Sequence, residues 1–255
     1  MTTSQSTSQV RVEPITDADD FSRCFAISAA AFGTQTADGI WTAFNPGWET
    51  PDGEILGASR LQSRWAARKS TESGNPNVVF LKATVQDPSS PGGEAIAGMA
   101  IWVQLSTVEG HGDIPKTELI EGLQLNTLYP DDESSQKFLC QVIQSLTKQR
   151  TEVVKEAATR DPPAIMALDL CAVDPAFQRR GVAGELVQWG LDEAKRRGGL
   201  EAVMEASKKG RSVYARYGFK QEGEEIAYIL DDEFKDRSMP SNVFMRTGYS
   251  QKGTT

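Results

Sequence analysis

Apolar residues recur along this chain with two periods, and the switches between them mark out the elements. Val10–Ile15 is short and rich in β-branched residues, as a strand is. Thr16 or Asp17 then suits a helix cap. Phe21, Cys24, Phe25, Ile27 and Ala31 approximate helical spacing until Gly33 stops them. Thr34–Pro51 breaks the pattern: Trp41, Phe44 and Trp48 sit among Gly and Pro, which predicts a loop whose aromatic anchors fill the core or wall a pocket. A second helix is expected over Ala58–Ser70. Val78–Val85 and Glu94–Gln104 read as paired antiparallel strands joined through the turn-rich Asp87–Gly93.

Ser106–Pro130 is irregular and longer than most loops of a compact domain. Asp131–Arg160 then reads as one long helix, with Phe138, Leu139, Val142, Ile143, Leu146, Val153, Val154 and Ala157 mostly at three- and four-residue steps until Pro162–Pro163. Residues 105–163 are therefore expected to form a helical insertion packed on the core, a candidate lid. Beyond it come a strongly apolar strand at Ile165–Val173, a helix at Glu185–Arg197 ending at Gly198–Gly199, and a strand at Leu200–Ala206. A short helix at Arg211–Tyr217 stops at Gly218, and strands follow at Ile226–Asp231 and Asn242–Thr247. One β-α-β unit inside a mixed order implies an α+β fold whose sheet holds both parallel and antiparallel pairs. Residues 10–248 are expected to form a single domain between disordered tails at 1–9 and 249–255.

Composition narrows the function. The 255 residues carry 27 basic and 35 acidic side chains, a net charge of −8, which argues against a nucleic-acid partner. Three widely spaced cysteines, Cys24, Cys140 and Cys171, suggest neither a disulfide framework nor a metal site. Met1–Gln9 lacks the apolar core of a signal peptide, and no apolar run approaches the roughly 20 residues of a membrane span. No membrane association and a cytoplasmic location are the expectations.

The informative stretch is Leu168–Leu191. A strand ends at Val173, Pro175 breaks it, and Gln178-Arg179-Arg180-Gly181-Val182-Ala183 turns directly into a helix. Backbone N–H groups at a helix start point outward, and the helix dipole favours negative charge there. Gly181 and Ala183 lack bulk, so a phosphate oxygen can approach, while Arg179 and Arg180 add positive charge. A Walker loop would need Gly-Lys-Ser/Thr, and a dinucleotide fingerprint would need Gly-x-Gly-x-x-Gly; neither is present. A purely structural turn would leave two arginines idle.

These residues resemble the GCN5-related N-acetyltransferase (GNAT) superfamily, whose pyrophosphate loop reads Gln/Arg-x-x-Gly-x-Gly/Ala. Gln178, Gly181 and Ala183 satisfy it. The preceding Cys171-Ala172-Val173-Asp174-Pro175, the following Tyr214 with Tyr217-Gly218-Phe219, and the hairpin strand with Gly98–Trp102 extend the resemblance over about residues 10–104 and 164–247. The overall style is similar to the fungal branch and its small-molecule acetyltransferases. The resemblance implies a mixed, mostly antiparallel sheet with splayed central parallel strands, flanked by helices, and acetyl-CoA as co-substrate without a metal. It implies that the backbone of Cys171, Ala172 and Val173 pairs with the pantetheine arm, that Gln178, Arg179, Arg180, Gly181, Val182, Ala183 and Gly184 hold the pyrophosphate, and that Ser207 lies near the cofactor.

The same resemblance implies Tyr214 as general acid toward the leaving thiolate. The base is open. The histone-modifying branch has a glutamate where Ala167 stands, so histone-type catalysis is not expected. Period-two alternation places Ala167, Asp169 and Cys171 on one face. Asp169, a carboxylate in an apolar strand, is either a base, an ammonium anchor or a partner for an arginine. Cys171 reads as a small buried residue rather than a nucleophile, and the lone His111 as a surface-loop residue. The function expected is transfer of acetyl to a primary amine of a small molecule by direct attack. Acetylation of a protein lysine or N-terminus, or non-catalytic acyl-CoA binding, are the alternatives. Edge strands leave a homodimer open.

Overall fold

The computed structural model describes residues 10–249, so the tails expected at 1–9 and 249–255 lie outside the described residues, apart from Tyr249, whose ring sits under the Arg160 guanidinium. The chain opens with β1 (Arg11–Pro14) and α1 (Asp20–Ser28), which runs on through a π-helical turn to Thr34. The expected loop over Thr34–Pro51 contains a helix, α2 (Gly39–Phe44). The Asp38 carboxylate caps it by accepting from the N–H groups of Ile40 and Trp41. The next helix, α3 (Pro51–Ala66), starts seven residues before the sequence expectation, with Thr50 as cap and Pro51 at its first position.

The hairpin forms as β2 (Val78–Gln86) and β3 (Glu94–Leu105). Residues 105–163 then hold two single-turn helices, α4 (Leu119–Gly122) and α5 (Leu125–Leu128), and two longer ones, α6 (Glu133–Leu146) and α7 (Lys148–Ala157). The single long helix expected over Asp131–Arg160 is thus broken at Thr147, whose hydroxyl donates back to the Ile143 carbonyl while its φ of −96° leaves the helical well. α7 packs Val153, Val154 and Ala157 into the main core, whereas α6 builds a separate cluster with Ile40 and Phe234.

The second half is β4 (Ile165–Val173), α8 (Val182–Arg196), β5 (Glu201–Ser207), α9 (Arg211–Arg216), β6 (Lys220–Glu225) and β7 (Asn242–Arg246). The strand expected at Ile226–Asp231 is irregular, and the strand lies just before it at β6. Every β6 residue is exposed, so no apolar alternation announces it.

The seven strands form one sheet in the order β1-β2-β3-β4-β5-β7-β6. Only β4 and β5 run parallel; every other neighbouring pair is antiparallel. This is the mixed α+β sheet expected from the sequence. One face packs on α8 through Val182, Leu186 and Val187. The other packs on α1 and α7 through Phe21, Ile27 and Val154. α8 comes unusually close to the sheet at Gly190, where a Cβ would lie 1.9 Å from the Trp102 ring. Trp102 is completely enclosed there and donates from Nε1 to the Leu186 carbonyl. It is therefore a core residue.

Candidate active site

β4 and β5 pair over only four rungs, from Ile165–Glu201 to Leu168–Met204. Beyond that rung β5 stays paired with β7 and β4 with β3, so the two parallel strands part and leave a gap in the sheet. A bulge sits at the point of parting. Ile101 pairs with Leu170 and Trp102 with Leu168, so Asp169 is an extra residue in β4.

The bulge reverses the phase of the strand. Ala167 packs in the cluster on the α1 and α7 face, but Cys171 packs in the cluster on the α8 face. The period-two alternation that places Ala167, Asp169 and Cys171 on one face is therefore incorrect for Cys171. A strict period cannot anticipate an inserted residue.

On the α8 face, Gln178–Ala183 turns into α8 without a side-chain cap. The first-turn N–H groups of Val182, Ala183 and Gly184 have no intrahelical acceptor. Gly181 takes φ +86°, and a Cβ built there meets nothing within 4 Å. Arg179 also takes a positive φ, +63°, which a side chain tolerates at a cost of about 1–2 kcal/mol. The Gln178 amide fixes the loop: Nε2 donates to the Val173 carbonyl at 3.1 Å and to Gln35 Oε1 at 2.9 Å. Arg179 and Arg180 are exposed at the mouth, Arg180 resting over the Phe177 ring. Open space, unpaired donors and positive charge fit a pyrophosphate group.

On the same face, Tyr214 of α9 packs in one cluster with Cys171 of β4. Burial raises the pKa of both. The thiol is pushed up to about 12, so Cys171 is not a thiolate near neutral pH. Tyr214 is held well above its ordinary value by burial and then by Cys171, and stays protonated. Tyr217 places its hydroxyl against Gly184, where a Cβ would lie 2.2 Å away, tying α9 to the start of α8. Ser207 ends β5, paired with Asn242.

On the opposite face, Asp169 accepts from Arg64 Nη2 at 2.8 Å and Arg150 Nη1 at 2.9 Å. Burial raises its carboxyl, but the two guanidinium groups outweigh this and hold it below the usual carboxylate range. A carboxylate held between two guanidinium groups is a poor proton acceptor, so the geometry favours Asp169 as an arginine partner over Asp169 as base. Sequence reasoning missed Arg150 altogether: nothing local marks an arginine on α7 as belonging to β4 and β5. His111 is a loop residue whose carbonyl accepts from Gln104.

A cleft of about 500 Å³ opens on the side of α2, lined by Trp48, Glu49, Tyr129, Phe138, Arg237 and Met239 among others. Trp41 and Trp48 pack edge to face at 5.7 Å and are only half-buried, so the aromatics of this segment both fill space and wall the cleft. Among the described residues no helix is long and apolar enough to cross a membrane.

Comparison with known proteins agrees with this geometry. The family model described as an acetyltransferase (GNAT) domain matches residues 141–228, which span α7, β4, the cradle, β5 and α9. No curated protein sequence matches. Among solved structures, arylalkylamine N-acetyltransferase 2 from Aedes aegypti superposes with a TM-score of 0.56 at 19% identity, covering 93% of this chain and 98% of that one. An agmatine N-acetyltransferase gives 0.58 at 12% identity over 93% and 97% of the two chains. A polyamine N-acetyltransferase from Drosophila melanogaster gives 0.53 at 12% identity over 93% and 98%. Residues 141–228 thus match a GNAT acetyltransferase domain, and the chain shares the fold of these solved N-acetyltransferases.

Proposed function

We propose that this chain transfers acetyl from acetyl-CoA to the primary amine of a small molecule, by direct attack of the amine on the thioester. One observation carries the reading: Tyr214 stands beside the gap in the sheet, on the same face as an uncapped helix start that fits a pyrophosphate.

Acetyl-CoA supplies the activated acyl group. The backbone at Cys171, Ala172 and Val173 borders the gap where strand-like pairing with the pantetheine arm is available. The N–H groups from Gln178 to Gly184, with Arg179 and Arg180, take the phosphates, and Ser207 closes the far side of the gap. Tyr214 holds the proton that the leaving sulfur needs. Cys171 contributes bulk rather than nucleophilicity, because its thiol stays protonated. Asp169 orders Arg64 and Arg150 at the acceptor side.

The small-molecule reading is supported by similar structures that bear the names of arylalkylamine, agmatine and polyamine acetyltransferases. The cleft walled by Trp48 and Tyr129 shares no lining residue with β4, β5, α9 or the cradle and carries no part of it. A panel of arylalkylamines, polyamines and short peptides, incubated with acetyl-CoA and followed by thiol release, tests it. Release with a small amine above the peptide rate is expected. Release with peptides alone would overturn the substrate class.

A further inference from the structure

Two carboxylates stand at the parting of the strands, and their surroundings push them in opposite directions. Leu168 and Met204 form the last β4–β5 rung, and the next residues are Asp169 and Glu205. Arg150 of α7 donates to both, through Nη1 to Asp169 at 2.9 Å, through Nε to Glu205 at 3.1 Å, and through Nη2 to the second Glu205 oxygen. Asp169 takes Arg64 as well, while Glu205 pairs with Arg150 alone among the described residues. The Glu205 side chain is only 4% exposed, against 28% for Asp169. Burial draws the Glu205 carboxyl up, and Arg150 offsets this only in part, so it lies above its ordinary value as Asp169 lies below.

The sheet separates this pair from Tyr214. Along β5, Met204 and Ala206 pack on the α8 face and Val203 on the α1 and α7 face, so Glu205 points to the latter. Tyr214 and Cys171 pack on the α8 face. The gap thus has a half-buried phenol on one face and a buried carboxylate on the other. Carboxyl groups whose environments drive their acidities apart are suited to different roles.

We propose that Glu205 accepts the proton of the incoming ammonium, with Arg150 as its positioning residue and Asp169 as a fixed counter-charge. The assignment rests on the amine-acetylation reading above. The ammonium gives one proton to Glu205. The neutral nitrogen forms the C–N bond as the C–S bond breaks, and Tyr214 passes its proton to the departing sulfur. The second proton lost by the new amide nitrogen restores Tyr214, and Glu205 returns its proton to solvent, so each turnover releases one proton.

The charged and titratable groups facing Glu205 are Arg150 from α7, Asp169 from β4 and Tyr228 from the segment after β6. Tyr228 in turn faces Asp38 and Glu225, and its hydroxyl is pushed up to about 12 by burial. Asp38 is committed to the α2 cap. Glu205 is the one carboxylate among them that stands next to the last β4–β5 rung with a single cation beside it.

Glu205→Gln tests the assignment. Acetyl-CoA binding is expected to persist, while kcat/KM near pH 7 falls about 100-fold. That deficit should shrink as pH rises and free amine replaces ammonium. Activity within threefold of wild type, with an unchanged pH profile, would overturn the role. If Glu205→Gln fails to bind acetyl-CoA, Glu205→Asp keeps the charge opposite Arg150 but withdraws the carboxylate. It should lose at least tenfold with the same alkaline recovery, and wild-type behaviour there would overturn the assignment equally. A wild-type chain that acetylates no amine overturns the amine reading and this assignment together. An active wild type with an equally active Glu205→Gln overturns the assignment alone.

Discussion

Tyr214 and Cys171 pack in one cluster on the α8 face, beside the open end of the β4–β5 pair, joining the helix after one strand to the end of the other. The contact places a protonated phenol beside the gap where a thioester sulfur would leave. Tyr214→Phe removes the proton and little of the packing. It should bind acetyl-CoA as wild type does and lose turnover by roughly 100-fold. Titration calorimetry and steady-state rates on the same preparation check both halves. An unchanged kcat would remove Tyr214 from the chemistry.

Arg150 is the cation shared by Asp169 and Glu205, and its own side chain is 11% exposed. Arg150→Met would leave the buried Glu205 charge without a partner, which costs on the order of 3–5 kcal/mol. Urea unfolding should show that loss. Arg150→Met combined with Glu205→Gln should recover part of it, because the uncompensated charge is then gone. Equal stability of the single and double variants would mean that Glu205 is not the group Arg150 neutralises.

Gly190 is required by Trp102. A Cβ at 190 would stand 1.9 Å from the indole, and the surrounding ring is fully enclosed. Gly190→Ala should destabilise the fold by about 1–3 kcal/mol despite the better helix propensity of alanine. A lowered urea midpoint with an altered tryptophan emission is the expected reading.

Acid stability follows from carboxylates held by arginines. Burial raises the Asp169 and Glu201 carboxyls, but Arg64 and Arg150 in the first case, and Arg246 and Arg160 in the second, bring both below their ordinary values. Such groups stabilise the fold above the unfolded carboxylate range, about pH 4, and that stability is lost as pH falls through their folded values. Asp169→Asn should therefore be less stable than wild type at neutral pH and show a shallower fall in stability below about pH 4. It should also cut turnover more than acetyl-CoA binding, since Arg150 and Arg64 lose the group that orders them. Parallel loss of stability at all pH values would contradict this.

The sequence was most legible where one backbone conformation has one chemical use. Gln178–Ala183 combines a strand end, a glycine at positive φ and an uncapped helix start, and each leaves a local mark. The buried strands β2, β3 and β4 showed themselves by apolar content. β6 did not, because an exposed edge strand of Lys220, Gln221, Glu222, Gly223, Glu224 and Glu225 buries nothing. The break at Thr147 hides inside a continuous apolar period, and the inserted Asp169 hides inside an alternation. Arg150 and Glu205 were beyond reach for a different reason. Their pairing is a tertiary contact between residues 55 apart, and a charged residue on an amphipathic helix is ordinarily solvated.

The most direct test of the central claim is thiol release from acetyl-CoA by the wild-type chain across a panel of small primary amines, with an amine-free control. Release that depends on a small amine, saturates with it and falls about 100-fold in Tyr214→Phe is the predicted result. Tight acetyl-CoA binding with no amine-dependent release would contradict it and leave a cofactor-binding module in its place.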